Sequence, residues 1–419
     1  MTRREDIEIM APVGSYESLM AAISAGANSI YFGVEQLNMR AKSAANFTLD
    51  DLDKIVAICK DSGVKSYLTV NITIYEGEGE VMRQIIDRAK SSGIDAIIAT
   101  DFAAILYARK VGVEVHISTQ SNISNLDAVE FFSEWADVLV LARELSLEQI
   151  AEIHRGILER DIRGPRGEIV EIEMFAHGAL CMSISGKCYL SLHEVGYSAN
   201  RGACRQICRR KYTITDTQTG EVLDTDGQYI LSPKDLCTIE FLDKFIAAGV
   251  RVLKIEGRAR GGEYVKRVVE SYDRALRAIE ADEFNDELKS ELRTRLESVF
   301  NRGFWGGYYA GAPVAEQTQN HGSSATERKV YVGKVTNFFK RSSIAEILIE
   351  AAPLTKGETA LFMGHTTGVV EMTTEGIMVE GDMVDSVKQG EVCSMKIADM
   401  VRRGDKLYKM VSAEDVVCQ

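Results

Sequence analysis

The sequence predicts an α/β protein: a (β/α)8 TIM-like barrel with a cysteine-rich insertion after strand 7, followed by a small C-terminal β-barrel domain. Three observations carry this. Short β-branched apolar runs alternate with amphipathic stretches eight times within the first 280 residues. The runs are apolar almost throughout, the pattern of strands buried on both faces of a parallel sheet. From Lys329 onward the texture changes to short alternating strands without helices between them. Eight units favour a closed barrel over an open doubly wound sheet, which remains the competing arrangement.

The strands follow in order. Ile7 to Val13 reads as the first, followed by the helix Tyr16 to Gly26, which a glycine ends. Ser29 to Val34, Lys65 to Asn71, Ala96 to Asp101, Glu114 to Gln120 and Val138 to Glu144 each precede a helical stretch. Glu168 to Phe175 leads into the cysteine-rich insertion, and DLCTIEFLDKFIAAG after it reads as a helix opened by Cys237. Val250 to Gly257 precedes a long helix, with a further helical stretch from Glu287 to Val299. The division is therefore a barrel over 1–315, a polar exposed linker over 316–328 and a β-domain over 329–419.

Composition bounds the function. Among 419 residues, 49 Lys and Arg against 62 Asp and Glu give a net charge of −13, which argues against a generic nucleic-acid coat but leaves room for a local basic site. No apolar run approaches the roughly 20 residues that span a bilayer, so no membrane partner is expected. The start, MTRREDIEIMAPVGS, lacks the apolar centre of a secretory signal, which predicts a cytoplasmic protein. Disulfides are then disfavoured for the eight cysteines.

Cys59, Cys393 and Cys418 are scattered, whereas Cys181, Cys188, Cys204, Cys208 and Cys237 crowd the insertion and its exit. Paired CxxC knuckles of a zinc ribbon are missing, and ferredoxin spacings do not match. Four or five thiolates above one barrel mouth suit an iron–sulfur cluster, a structural zinc or no metal at all. Gly178, Gly186 and Gly202 would let the backbone wrap closely. Arg201, Arg205, Arg209, Arg210 and Lys211 form a cationic segment without an acid, either a solvated surface or a contact for phosphates. Arg258 and Arg260, at the end of the eighth strand, could clamp the carboxylates of a small dicarboxylate. Polar residues at the other strand ends, Arg143 among them, suggest a polar pocket, and His177, Glu173 and Glu256 are the candidate catalytic groups.

EMFAHGALCMSISGKCYLS, from Glu173 to Ser191, resembles the signature of the collagenase-like peptidase family of unknown catalytic type, as do APVGSYESLMAAISAGANSIYFG, NRGACRQICR and LKIEGRARGGEYV. The resemblance spans most of residues 7 to 270. It implies a barrel holding a 4Fe-4S cluster, with Cys181, Cys188, Cys204 and Cys237 as ligands and Cys208 as a neighbour. Better-understood members hydroxylate RNA or ubiquinone. A barrel plus one compact β-domain looks most like the branch that hydroxylates a tRNA wobble uridine, with prephenate as co-substrate. On that reading the partners are tRNA, held by Arg201 and Arg205, and a dicarboxylate held by Arg258 and Arg260. The alternatives are the peptidase that the family label states and a non-catalytic iron–sulfur or zinc scaffold. The sequence has no HExxH helix and no GxSxG elbow to support proteolysis.

Overall fold

The computed structural model describes residues 3–42, 46–223, 229, 231–311 and 315–414; Cys418 lies outside them. Eight strands form the barrel: β1 (Glu8–Pro12), β2 (Ser29–Phe32), β3 (Lys65–Val70), β4 (Ala96–Ala99), β5 (Glu114–Ile117), β6 (Val138–Val140), β7 (Glu171–Gly178) and β8 (Val250–Ile255). Each is parallel to the next, and β8 pairs with both β7 and β1 to close the ring. All eight coincide with the apolar runs of the sequence.

Local chemistry sets the helix ends. Ser15, Asp101, Asn125 and Ser146 cap helix starts by accepting backbone N–H bonds, which satisfies donors that the first turn leaves free. One face of each strand packs outward against the helices in a single large core. The other face fills the interior, where Met10, Tyr31, Tyr67, Ile98, Val138 and Val252 form a separate inner cluster.

Two sequence expectations change here. Asp235–Cys237 is a short strand antiparallel to the end of β7, pairing Leu236 with Gly178 and Cys237 with His177. The helix begins only at Leu242, after a 3-10 turn. The Thr238 N–H donates to the Ala176 carbonyl, so the sheet end claims backbone that helical periodicity alone would assign to a helix. The segment 316–328 is also less free than a polar linker suggests. Lys234 N–H donates to the Glu316 carbonyl, and Thr318, Ser324 and Thr326 N–H groups donate to barrel carbonyls.

The C-terminal domain is an eight-stranded antiparallel sheet starting at Glu327, with its own core around Val332, Ile347, Phe362 and Leu407. Its Leu361, Met363 and Val369 pack against Ala21 of the first barrel helix. Buried Arg267, on the helix Gly262–Glu280, donates to Glu371 at 2.8 Å and Glu327 at 2.6 Å and ties the two domains together. No residue of this domain lines the cavities described next.

Candidate active site

The insertion folds over the carboxyl ends of the strands, the face where barrel enzymes place their chemistry. Two glycines fit it there. Gly178 has φ +103°, and a Cβ on it would stand 2.3 Å from the Glu256 carbonyl oxygen. Gly202 has φ +75° and would meet the Asn38 carbonyl at 2.3 Å, so any side chain at either point would push the insertion off the barrel.

Beneath it is a cavity of about 180 Å³. Strand ends supply its floor: Tyr31, Thr69, Phe175, Lys254, Glu256 and Arg258. The insertion supplies its roof, including Cys181, Cys188, Cys204 and Cys208. Burial pushes the Cys188 and Cys208 thiols up, and the neighbouring thiols push in the same direction. Cys237 does not line this cavity. It lies buried on its short strand, pushed up to about 11 by burial. Among the described residues no three His, Cys, Asp or Glu side chains are close enough to share one metal ion, so the four thiols line the wall without meeting at a point. In kind and number they fit a thiolate-held iron–sulfur centre.

The three candidate catalytic groups occupy different surroundings. Glu256 sits on the cavity wall, accepting from Arg40 Nη2 at 2.7 Å and Tyr31 Oη at 3.0 Å. Burial opposes its charge, but the Arg40 and Arg258 guanidiniums outweigh burial and hold the carboxyl down to about 2. It is therefore a fixed anion at neutral pH. Glu173 lies below the cavity, fully buried, with Lys254 Nζ at 2.6 Å from Oε1. His116 follows, with Nδ1 3.8 Å from Glu173 and Nε2 3.5 Å from Glu114. Burial lowers the His116 pKa, yet the two carboxylates overcome it and raise it to about 9.

His177 is elsewhere. Strict alternation along β7 would turn it inward with Glu173 and Phe175, but the register against β8 slips between Lys254 and Ile255. The bulge turns its ring among Tyr264, Tyr272 and Phe304, with centroids at 6.0, 5.8 and 5.2 Å. Burial and Arg293 push it down to about 3, and neither ring nitrogen has a hydrogen-bond partner.

The arginines also divide. Arg258 lines the inner cavity and donates to Asn38 and Thr69. Arg260 stacks on Phe300 at 3.3 Å and lines a second, more open cavity of about 650 Å³. The two guanidiniums thus serve different spaces rather than forming one clamp. Arg40, Cys204, Gln206 and Glu256 border both cavities, which makes the outer one a vestibule to the inner. Lys42 and Arg205 add charge to the vestibule, and Lys42 lies 4.3 Å over the half-exposed ring of Tyr197. Of the cationic segment, Arg201 is tied to Glu78 and the Thr73 carbonyl, Arg209 to Ser232 and two carbonyls, and Arg210 to Glu194. Arg205 makes no such side-chain contact among the described residues and faces the vestibule.

Sequence reasoning missed Arg40 and Lys254. Lys254 was within reach: Lys254, Glu256 and Arg258 alternate along one strand and its extension, so they share a face. Arg40 comes from a loop, where no periodicity marks it.

The profile of peptidase family U32 matches residues 14–319. A protein named collagenase, from Porphyromonas gingivalis, is 54% identical over 98% of this chain and 99% of its own length. An uncharacterized protease of Methanocaldococcus jannaschii is 35% identical over 96% of this chain and 98% of its own length. The tRNA hydroxylation protein P1 of Bacillus subtilis is 31% identical over 95% of this chain and 94% of its own length. The expectation that set this chain beside the tRNA branch meets a stronger similarity to the collagenase-named relative. With the profile covering most of the barrel and full-length relatives at these identities, the chain belongs to peptidase family U32.

Proposed function

We propose that this protein is an RNA-modifying enzyme that hydroxylates a tRNA uridine, with an iron–sulfur cluster held by Cys181, Cys188, Cys204 and Cys208. The observation that carries the reading is a pair of adjoining cavities, a small one lined by four thiols and a more open cationic one that shares Arg40, Cys204, Gln206 and Glu256 with it. When bound, the cluster supplies redox chemistry at the mouth. The chain's own residues bind and orient. Arg205 and Lys42 hold phosphates at the entrance, and Tyr197 offers a face on which a base can stack. The insertion roofs the inner cavity. Glu256 stays ionised and fixes Arg40 and Tyr31 rather than carrying a proton. Similarity to a tRNA hydroxylation protein over nearly the full length supports the substrate class.

The test is mass spectrometry of tRNA nucleosides from a deletion strain and from the same strain carrying the gene. Loss of hydroxyuridine with recovery on complementation supports the reading. Unchanged hydroxyuridine, in a strain with no second enzyme for it, contradicts it.

A second reading, a collagenase-like peptidase, is favoured by the 54% identity to a protein of that name. The cavity lining contains no histidine to serve a serine or cysteine nucleophile. Gelatin cleavage by pure metal-replete protein, abolished by a single substitution in the cavity, would establish it instead.

A further inference from the structure

The β-domain is close to neutral in sum but not in arrangement. Residues 329–419 carry 11 Lys and Arg against 13 Asp and Glu, and six of those cations fall in two short stretches: Lys340 and Arg341, then Lys396, Arg402, Arg403 and Lys406. Strand register brings the two stretches to one end. The hairpin of Glu327–Phe339 and Ile344–Ile349 turns at Lys340 and Arg341, and Ile344 beside that turn pairs with Lys396. The chain then returns along the hairpin, with the Ile397 N–H donating to the Ser343 carbonyl and the Gly404 N–H to the Val335 carbonyl. Arg402 is spent on the Thr366 carbonyl and the Thr367 hydroxyl. The other five cations are exposed, and among the described residues none has a hydrogen-bond or ion-pair partner. Of the acids at this end, Asp405 is buried and accepts from Thr367 and the Arg402 N–H, Glu346 accepts from Thr336, and Asp399 is exposed. Glu350 and Glu391 flank the far ends of the strands, where the Ile349 N–H donates to the Glu391 carbonyl. Charge is thus separated along the strands.

The cationic end lies on the mouth side of the barrel. The 364–368 turn, which Arg402 holds, packs on the first turns of the barrel helix Tyr16–Ser24. The His365 ring stacks on Tyr16 with centroids 6.3 Å apart, and a Cβ on Gly368 would stand 2.9 Å from the Ala21 nitrogen. The start of the helix that follows a barrel strand belongs to the mouth face. Tyr16 also meets Phe47 at 5.3 Å, at the end of the loop that brings Arg40 and Lys42 to the vestibule.

We propose that this end of the β-domain is a second RNA-binding surface, which takes the sugar–phosphate backbone of the molecule whose base enters the mouth. It rests on the reading of the chain as an RNA-modifying enzyme. Exposed cations without partners attract phosphates and bind them in a salt-dependent way as counterions are released. Phe339, 48% exposed beside Lys340, adds a ring on which an unpaired base can rest. Anionic lipid headgroups fit less well, because Phe339 and Met400 are the large exposed apolar side chains here and offer little area to a bilayer.

The test is fluorescence anisotropy of labelled tRNA titrated with the full-length protein, purified without air with the metal it carries, over a series of salt concentrations. Lys340→Gln, Arg341→Gln and Arg403→Gln combined should weaken binding roughly tenfold and lower the salt slope by about 2–3. Lys356→Gln with Lys388→Gln, exposed cations near the acidic end, should leave both unchanged. The melting temperature should hold in each; if the triple variant melts early, Lys340→Gln with Arg341→Gln, confined to a turn, is read in the same way. Unchanged tRNA affinity in the triple variant, equal losses in the triple and the control variants, or no tRNA binding by the unaltered protein overturns the proposal. So does loss of binding to phosphatidylglycerol vesicles with tRNA binding kept. Binding is read without turnover, so the two failures are distinguishable. Binding that depends on the three cations, in a protein whose deletion leaves hydroxyuridine unchanged, upholds this surface and removes the hydroxylation reading. Hydroxylation with unchanged binding in the triple variant removes this surface alone.

Discussion

Beneath the mouth of the barrel, Lys254, Glu173, His116 and Glu114 form a buried chain of ion pairs, whereas at the mouth Arg143 has no acceptor among the described residues and four thiols line the cavity. The first group sits inside the barrel, whereas Arg143 follows a strand end and the thiols belong to the insertion above it. The lower chain is held by ion pairs between its own members, so these serve the fold. The upper set is open, so its members are available to a ligand. Lys254, Glu173 and His116 of the lower set are buried and the upper set only in part, and the charges of the lower set already have partners inside the chain.

The largest effect should come from opening the closed region. Lys254→Met leaves Glu173 buried without its ammonium and should cost about 3–5 kcal/mol in urea unfolding. A loss under about 1 kcal/mol would mean that the lower chain is not structural. The pH profile comes next. His116 is raised in the folded state, so its contribution is fully present below its unfolded value near 6.5 and is lost as pH rises through about 9. Glu256 is depressed, so its contribution is present above its unfolded value near 4.3 and is lost as pH falls through about 2. Thermal melting should therefore decline at both ends, and His116→Gln should flatten the alkaline limb only.

Arg143→Gln should change stability by no more than roughly 0.5 kcal/mol, since no partner is stranded by removing it. A large loss would place Arg143 with the closed set. The smallest effect belongs to the vestibule. Arg205→Gln should lower the salt slope of tRNA binding by about 1 and leave the melting temperature unchanged. Arg201→Gln should destabilise the insertion instead, because its guanidinium is spent on Glu78 and Thr73.

The barrel was legible because parallel strands buried on both faces write themselves as continuous apolar runs, and all eight appear where those runs stand. The strand Asp235–Cys237 was not legible. It exists through pairing with the end of β7, and its own residues continue into an amphipathic stretch that reads as helix. That misreading also bears on the thiols, since it hides the burial of Cys237 beside His177, away from the cavity. The close spacing of Cys204 and Cys208 was the available signal that these two face the same space. The orientation of His177 depends on one bulge, which periodicity cannot foresee. The state of Arg143 was equally hidden: its place at a strand end was readable, but the absence of a partner is a property of the assembled site.

The most direct test of the thiol-lined mouth is iron, acid-labile sulfide and zinc analysis of the protein purified without air, with Cys208→Ala and Cys237→Ala beside it. The account predicts about four irons and four sulfides per chain, lost in Cys208→Ala and kept in Cys237→Ala. Stoichiometric zinc in the unaltered protein, or iron kept in Cys208→Ala and lost in Cys237→Ala, would contradict it.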